Sequence, residues 1–255
     1  MNRPLEHFIA RLRSATVEMD PFPHYVLDQV FPDDYYRELI CNLPDSTVYE
    51  NLYEVTDLKL DHFRHRDQRD MDHGWTDRLP ADQREFWGSF NKWFLSKKLA
   101  WAVMNSFGES LALFPQPEIS VDSQFIRHRA GYFLGPHSDL YTKLVVLLLY
   151  LAPDDNAEHL GTSLYRPKEA GFSCPNSKHY AFEDFVRVKT APYRANTLLA
   201  FVRSDVSFHG LEPLLERDVA TTAGRDVIQY VIHDKVKRDT LLAARRLAAA
   251  QEAKA

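Results

Sequence analysis

Cysteine is scarce in this chain: Cys41 and Cys174 are the only two in 255 residues. So few thiols argue against a disulfide scaffold and suit a reducing cytosol. A basic surplus is also missing. Lys and Arg number 31 against 36 Asp and Glu, giving a net charge of −5 and a pI near 6.1. That balance argues against nucleic acid as a main partner. No apolar run approaches the roughly 20 residues a membrane-spanning helix needs. The longest, Leu144 to Ala152, suits a buried strand. The opening Met1-Asn2-Arg3-Pro4-Leu5-Glu6 carries no apolar signal-peptide core, so a cytoplasmic protein without membrane contact is expected. No internal repeat is visible.

Hydrophobic residues make up 45% of the chain, enough for a sizeable core, and the length fits one large domain, 1–255. The first part, 1–117, reads as mostly helical. Leu5, Phe8, Ile9 and Leu12 recur at helical spacing and predict a helix over 4–18. Tyr25-Val26-Leu27 reads as a short strand. Pro32, Asp33 and Asp34 suit the start of a helix that buries Leu39, Ile40 and Leu43. Residues 81–106 predict the longest helix, whose stripe of Phe86, Phe90, Trp93, Phe94, Trp101 and Met104 covers one face of a sheet. Pro115-Gln116-Pro117 reads as the boundary between this helical part and a strand-rich one.

Between these helices, residues 48–78 show no period. Tyr49, Tyr53, His62, Phe63, His65, Arg66, Arg69, His73 and Trp75 mix aromatic and charged groups. Two readings stay open, a cap over a substrate site and an ordinary surface loop. His62-x-x-His65 lacks the second ligand pair of a structural metal site and reads as solvated.

From Ile119 onward strands dominate, at 119–129, 142–151, 162–166, 184–189, 197–203, 207–213 and 226–233. Many short strands without intervening helices predict a jelly roll rather than a βαβ sheet. The expected fold is mainly β with flanking helices, its core at 118–234. Residues 167–182 read as an insertion loop at a barrel end. Residues 235–255 read as a C-terminal helix whose Leu241, Leu242 and Leu247 dock on the barrel or on another subunit, which leaves a dimer open.

The chemistry centres on Gly135-Pro136-His137-Ser138-Asp139 and on His209. On a strand, residues i and i+2 face the same side, roughly 6–7 Å apart. His137 and Asp139 can therefore converge on one ion, with His209 as third ligand after the run Leu198 to Val202. Two His and one carboxylate on one face of an octahedral ion leave open positions, the arrangement of a non-haem Fe(II) oxygenase. The plainer reading makes these two hydrogen-bonded histidines and a turn aspartate.

His137-x-Asp139, His209 and Arg225 together resemble the 2-oxoglutarate/Fe(II)-dependent dioxygenases, in their prolyl-hydroxylase-like branch. Ala130-Gly131-Tyr132-Phe133-Leu134-Gly135-Pro136 resembles that branch's approach to its first ligand. Leu147-Leu148-Leu149-Tyr150-Leu151 and Gly161-Thr162-Ser163-Leu164-Tyr165 resemble its next two strands, and Pro21-Phe22-Pro23-His24 recurs in such proteins. The resemblance implies a double-stranded β-helix and an oxidoreductase that hydroxylates a C–H bond. It also implies Fe(II), 2-oxoglutarate and O2, with ascorbate as a supporting reductant. His137, Asp139 and His209 would be both metal ligands and catalytic centre. An Arg anchors the far carboxylate of 2-oxoglutarate through its planar fork. Arg225 is expected in that role, since it opens Asp226-Val227-Ile228-Gln229-Tyr230-Val231 and shares an inward face with Val227, Gln229 and Val231. Its spacing from His209 requires an insertion at 216–224. Arg217, between Glu216 and Asp218, is expected to face solvent. Tyr150 falls where the branch has a second co-substrate-binding residue. Arg127, Arg129, Tyr132 and Lys143 are expected to meet a substrate: a small molecule, a natural-product intermediate, a carrier-tethered group or an amino-acid side chain. Retention of Asp139 argues against a halogenase. A cupin-type metalloenzyme that does not use 2-oxoglutarate, and a non-catalytic jelly-roll binding protein, stay open beside this reading.

Overall fold

A strand that is apolar at every position must be covered on both faces. The computed structural model, which describes residues 2–72, 74–111, 117–219 and 224–252, shows this for the run after Lys143. In chain order, α1 (Arg3–Arg13) and β1 (His24–Leu27) come first, then α2 (Asp33–Cys41), β2 (Glu50–Asn51), α3 (Leu52–Val55) and β3 (Arg66–Asp70). Helices α4 (Ala81–Phe94) and α5 (Lys97–Ser106) precede β4 (Ile119–His128), β5 (Leu134–His137), β6 (Lys143–Tyr150) and β7 (Thr162–Pro167). The chain continues through β8 (Phe185–Ala191), β9 (Thr197–Val202), β10 (His209–Leu211) and β11 (Arg225–Asp234) to α6 (Lys235–Glu252). His73, Pro115 and Gln116, singled out in the sequence, lie outside the described residues.

The strands form two antiparallel sheets. The larger has the order β1-β9-β6-β11-β4-β3-β2 and the smaller β5-β10-β7-β8. Face to face they make the jelly roll that the strand pattern predicts, in the double-stranded β-helix form that the resemblance implies. On β6, Val145, Leu147 and Leu149 pack outward against the helices, while Val146, Leu148 and Tyr150 point between the sheets. β9 divides likewise, Leu198 and Ala200 outward and Leu199 and Phe201 inward. This is the period-2 alternation of a strand with two buried faces. The aromatic stripe seals the outer face: Trp87 meets Phe125 at 4.8 Å between ring centroids, and Phe94 meets Tyr230 at 5.0 Å. A third apolar cluster, built on Tyr165, Phe185 and Phe208, lies under the loop that runs from Lys168 to Ala181.

Several sequence expectations need correction. The predicted helix over 81–106 is two helices, because Ser96 takes an extended backbone (φ −73°, ψ 147°) and its Oγ accepts from the Leu99 N–H at 3.3 Å. An N-cap serine starts a helix by satisfying an orphan donor, so the stripe turns a corner there. The longest helix is instead α6, where Leu247 is 66% exposed while Leu241 and Leu242 are half-buried. The first helix stops at Arg13 rather than 18, and Ser14 donates its hydroxyl to the Arg11 carbonyl. Residues 48–78 are not structureless: Arg66–Asp70 pairs antiparallel with β4 along its length and extends the larger sheet.

The N-terminal segment is tied to the barrel by Asn196. This buried residue has a positive φ of 54°, accepts from the Phe31 N–H at 2.9 Å and donates to the Phe31 carbonyl at 2.9 Å. Truncation leaves two buried backbone groups unpaired, so Asn196→Ala is expected to cost about 2–4 kcal/mol. Urea unfolding checks this, and a change below about 0.5 kcal/mol would mean that water replaces the side chain.

Candidate metal centre

β5 ends on His137 and β10 begins on His209, and the two are register partners across the antiparallel pair. Their ring centroids lie 4.3 Å apart. Two residues beyond His137, Asp139 brings Oδ2 to 3.6 Å from His209 Nε2. One ligand atom from each of the three residues lies within 4.8 Å of the others. Glycines beside the histidines permit this closeness. A Cβ on Gly210 would come 2.5 Å from the Leu134 carbonyl oxygen, and one on Gly135 would collide with the Tyr180 carbonyl.

The donor atoms are pre-set for a cation. His137 Nδ1 donates to the Gly135 carbonyl at 3.0 Å, and His209 Nδ1 to the Ser207 carbonyl at 3.1 Å. Each imidazole therefore presents the Nε2 lone pair to the cluster, the usual way a protein fixes the tautomer of a ligating histidine. Lys143 Nζ donates to Asp139 Oδ1 at 2.5 Å, whereas Oδ2 is buried with no hydrogen-bond partner. An orphaned buried carboxylate oxygen is expensive unless a cation meets it. Burial would raise the Asp139 pKa, but Lys143, His209 and His137 outweigh it and hold the carboxyl well below its ordinary range. Burial, then the neighbouring His209, pushes His137 well down, and burial lowers His209. Two neutral imidazoles and one ionised carboxylate are the protonation state that a divalent metal requires.

The cluster opens on a cavity of about 370 Å³. Arg225 also lines it and is only 2% exposed. Its Nε donates to the Leu160 carbonyl at 2.6 Å and one terminal nitrogen to Thr162 Oγ1 at 3.2 Å. The other lies 3.2 Å from His128 Nδ1, and the guanidinium sits 5.2 Å over Tyr150 and 5.1 Å over Tyr193. Among the described residues no Asp or Glu pairs with it. Its neighbour Asp226 faces the other way and takes Arg127 in two bonds of 2.7 and 2.9 Å.

The other expected site residues divide. Tyr132 and Lys143 line the cavity, and the Tyr132 hydroxyl is buried without a partner while its ring stacks 4.3 Å from His128. Tyr150 lies behind Arg225, its hydroxyl accepting from the Thr162 N–H at 3.3 Å, and does not reach the lining. Arg127 and Arg129, expected to meet substrate, do not line the cavity. Strand alternation on β4 sends His128 inward and Arg127 outward to Asp226, and Arg129 is occupied by the Arg64 carbonyl and Asp67. Arg217 has an 81% exposed side chain beside Asp218. Sequence reading missed His128, Thr162 and Arg66, all on the lining. The alternation that placed Arg225 also places His128, its register partner. His179, 4.9 Å from the His137 ring, comes from a loop without period and had no sequence signal; burial, then His62, His209 and Arg66, takes its pKa down to about 4.

Replacing His137, Asp139 or His209 by Ala is expected to abolish tight Ni(II) or Fe(II) binding while the far-UV circular dichroism stays unchanged. Calorimetric titration checks it, and retained affinity in all three variants would remove the cluster as a metal site. The buried histidines also set an acid limit. His128, His137 and His209 all have folded pKa values below the unfolded value of about 6.5. Their contribution to stability is fully present above that pH and is lost as pH falls toward the folded values. The unfolding midpoint of the metal-free protein should therefore drop between about pH 7 and 5, and less steeply in His128→Asn. A midpoint that is flat over that range would contradict this.

No protein-family model matches this sequence, and no curated protein is similar to it in sequence. Solved structures are similar in fold. A prolyl hydroxylase from Trichoplax adhaerens, in complex with a hypoxia-inducible-factor oxygen-degradation-domain peptide, superposes with a TM-score of 0.54 at 14% identity, over 93% of this chain and 92% of that one. A prolyl 4-hydroxylase from Phytophthora capsici gives 0.52 at 16% identity, over 92% of this chain and 66% of that one. HygX from Streptomyces hygroscopicus, with nickel and 2-oxoglutarate bound, gives 0.50 at 14% identity over 84% of each chain. The fold is thus the double-stranded β-helix of prolyl hydroxylases and other 2-oxoglutarate/Fe(II) oxygenases.

Proposed function

We propose that this chain is a non-haem Fe(II), 2-oxoglutarate-dependent oxygenase that hydroxylates a C–H bond of a small molecule or amino-acid side chain. The observation that carries this reading is a buried Arg225 with no carboxylate partner among the described residues, facing the same cavity as the His137, Asp139 and His209 cluster. A guanidinium removed from water needs an anion, and its planar fork matches a carboxylate in two parallel hydrogen bonds. The fold shared with HygX, whose structure holds nickel and 2-oxoglutarate, supports the same reading.

In this reading His137, Asp139 and His209 would hold Fe(II). The metal, when bound, supplies the activation of O2 that couples decarboxylation of 2-oxoglutarate to succinate and CO2 with oxidation of the substrate. The chain's own residues bind, orient and exclude water. Arg225 receives the far carboxylate, with the Thr162 hydroxyl at 3.2 Å and the unpartnered Tyr132 hydroxyl as further polar groups on the wall. Lys143 occupies Asp139 Oδ1 and leaves Oδ2 to a cation. Ile126, Leu148 and Val227 keep the inner wall dry, where a charge-assisted pair gains strength from the low dielectric. Leu52, Thr56, Leu58 and Phe63 close the side toward the 48–78 arm, which gives that arm the part of a substrate cap.

Removing the bidentate partner of a buried carboxylate costs about 2–4 kcal/mol, roughly thirtyfold to a thousandfold in affinity. Arg225→Gln is expected to weaken 2-oxoglutarate binding by that factor and to change Ni(II) affinity less than about threefold. Arg217→Gln should change neither. Titration of 2-oxoglutarate into the Ni(II)-loaded protein reads both, and succinate formation with Fe(II) reads turnover. The opposite pattern for the two arginines, or no 2-oxoglutarate binding to the wild type, would sink the assignment.

A further inference from the structure

The cavity holds a second arginine that the oxygenase reading leaves unused. Arg66, on β3, stands in register with His128, which in turn stands in register with Arg225. Two strand spacings of ~4.8 Å set the Arg66 and Arg225 backbones about 10 Å apart. Both side chains line the same cavity, Arg225 fully buried and Arg66 half-buried. Arg66 makes one side-chain hydrogen bond, from a terminal nitrogen to Gln124 Oε1 at 2.9 Å, and its Nε is buried with no partner. Gln124 is a neutral amide, and its own NH2 donates to Asp70 Oδ1 at 2.5 Å, which turns the carbonyl end toward Arg66. Among the described residues no Asp or Glu pairs with Arg66; the adjacent Asp67 points to the other side and holds Arg129 at 3.1 Å. The charge is felt inside the site, since Arg66 helps to lower the pKa of both His128 and His179.

The guanidinium is thus fixed by the Gln124–Asp70 relay, uncompensated, and short of one hydrogen-bond acceptor. 2-Oxoglutarate does not fill that need in this reading, because its keto-acid end belongs to the metal and its far carboxylate to Arg225. The same cavity is lined by Leu52, Leu58 and Phe63 from the arm and by Leu134 from β5. We propose that Arg66 is the anion anchor of the primary substrate, and that this substrate is a small carboxylic acid with an apolar body. The carboxylate pairs with the Arg66 fork, the apolar body lies against Phe63 and the leucines, and the C–H to be oxidised turns toward His137 and His209. This assignment rests on the oxygenase reading and adds the substrate class to it.

The test uses wild-type, Arg66→Gln and Arg66→Lys proteins, loaded with Ni(II) and saturating 2-oxoglutarate so that the Arg225 site is filled. The probes are 4-methylpentanoate, 3-phenylpropanoate and N-acetyl-leucine, each beside its uncharged primary amide, with binding read by calorimetry. In the wild type at least one acid should bind roughly ten- to a hundredfold more tightly than its amide, the value of a charge-assisted hydrogen bond. Arg66→Gln should erase that preference, Arg66→Lys should keep part of it, and neither should change 2-oxoglutarate affinity more than about threefold. Equal binding of acids and amides, or no binding by any probe, overturns the substrate class. A large loss of 2-oxoglutarate affinity in Arg66→Gln overturns the division of labour and makes Arg66 the co-substrate anchor. Absence of 2-oxoglutarate binding to the wild type would instead count against the oxygenase reading itself.

Discussion

The site depends on one register, His137 opposite His209 where β5 meets β10. Both strands are short, four and three residues, so little of their own pairing holds them. A slip of one residue in either strand would turn that strand's imidazole to the opposite face. Neighbouring structure prevents it. β10 is clamped on its other edge by β7, where His209 stands opposite Leu164. β5 is gripped by the loop beyond β7, through the Tyr180 N–H to the Pro136 carbonyl at 2.9 Å and the Ser138 hydroxyl to the Cys174 carbonyl. That loop is held in turn by Phe172 and Tyr180 packed around Phe208, the residue just before His209. The apolar cluster on the outside of the smaller sheet therefore fixes the position of ligand atoms on its inside.

Charge within the cavity runs against the charge of the chain. The whole sequence is net −5. Yet the cavity wall carries Arg66, Lys143 and Arg225 against Asp139 as its carboxylate, while burial keeps the histidines His128, His137 and His209 on the neutral side. A divalent metal would add two more positive charges. Such a wall is stable only if it is shared with anions, because isolated buried charges are expensive. The cation excess is the electrostatic reason the proposed function fills this cavity with carboxylates. The acidic exterior does not oppose this, since surface charges beyond about 10 Å are screened at physiological salt.

Much of this was legible in the sequence because the relevant periods are rigid. A strand alternates every two residues, so Arg225 could be placed with Val227 and Gln229, and Ile228, Tyr230 and Ile232 opposite them; the structure divides them so. His137 and Asp139 also converge with His209, as their spacing led one to expect, although Asp139 lies two residues beyond the end of β5 rather than on it. Two things hid the remainder. The helix break at Ser96 was masked by an aromatic stripe that continues across it, since hydrophobic period carries no information about a change of axis. β3 was hidden because Arg66-Asp67-Gln68-Arg69-Asp70 has no apolar alternation to read. The barrel helped to conceal it, since β4 supplies the backbone partners and spares the added strand an apolar face of its own.

β3 also shows where this fold keeps its adjustable parts. The strands β5, β10 and β11 carry His137, His209 and Arg225, with Asp139 two residues beyond β5, and their inward residues are packed between the sheets, so a change there disturbs the core. β3 lies outboard of β4, toward the edge of the larger sheet, with only the two-residue β2 beyond it. Its side chains are half-buried or exposed, so exchanging one alters the cavity wall with little cost to packing. Arg66 reaches the cavity from that strand, and Leu52, Leu58 and Phe63 on the same cavity wall come from the arm that leads into the strand. Under the proposed assignment, chemistry would sit on the core strands and recognition on the added strand, a division that lets one change without the other. The same feature that made Arg66 unreadable, freedom from core packing, is what would suit it to the role proposed for it.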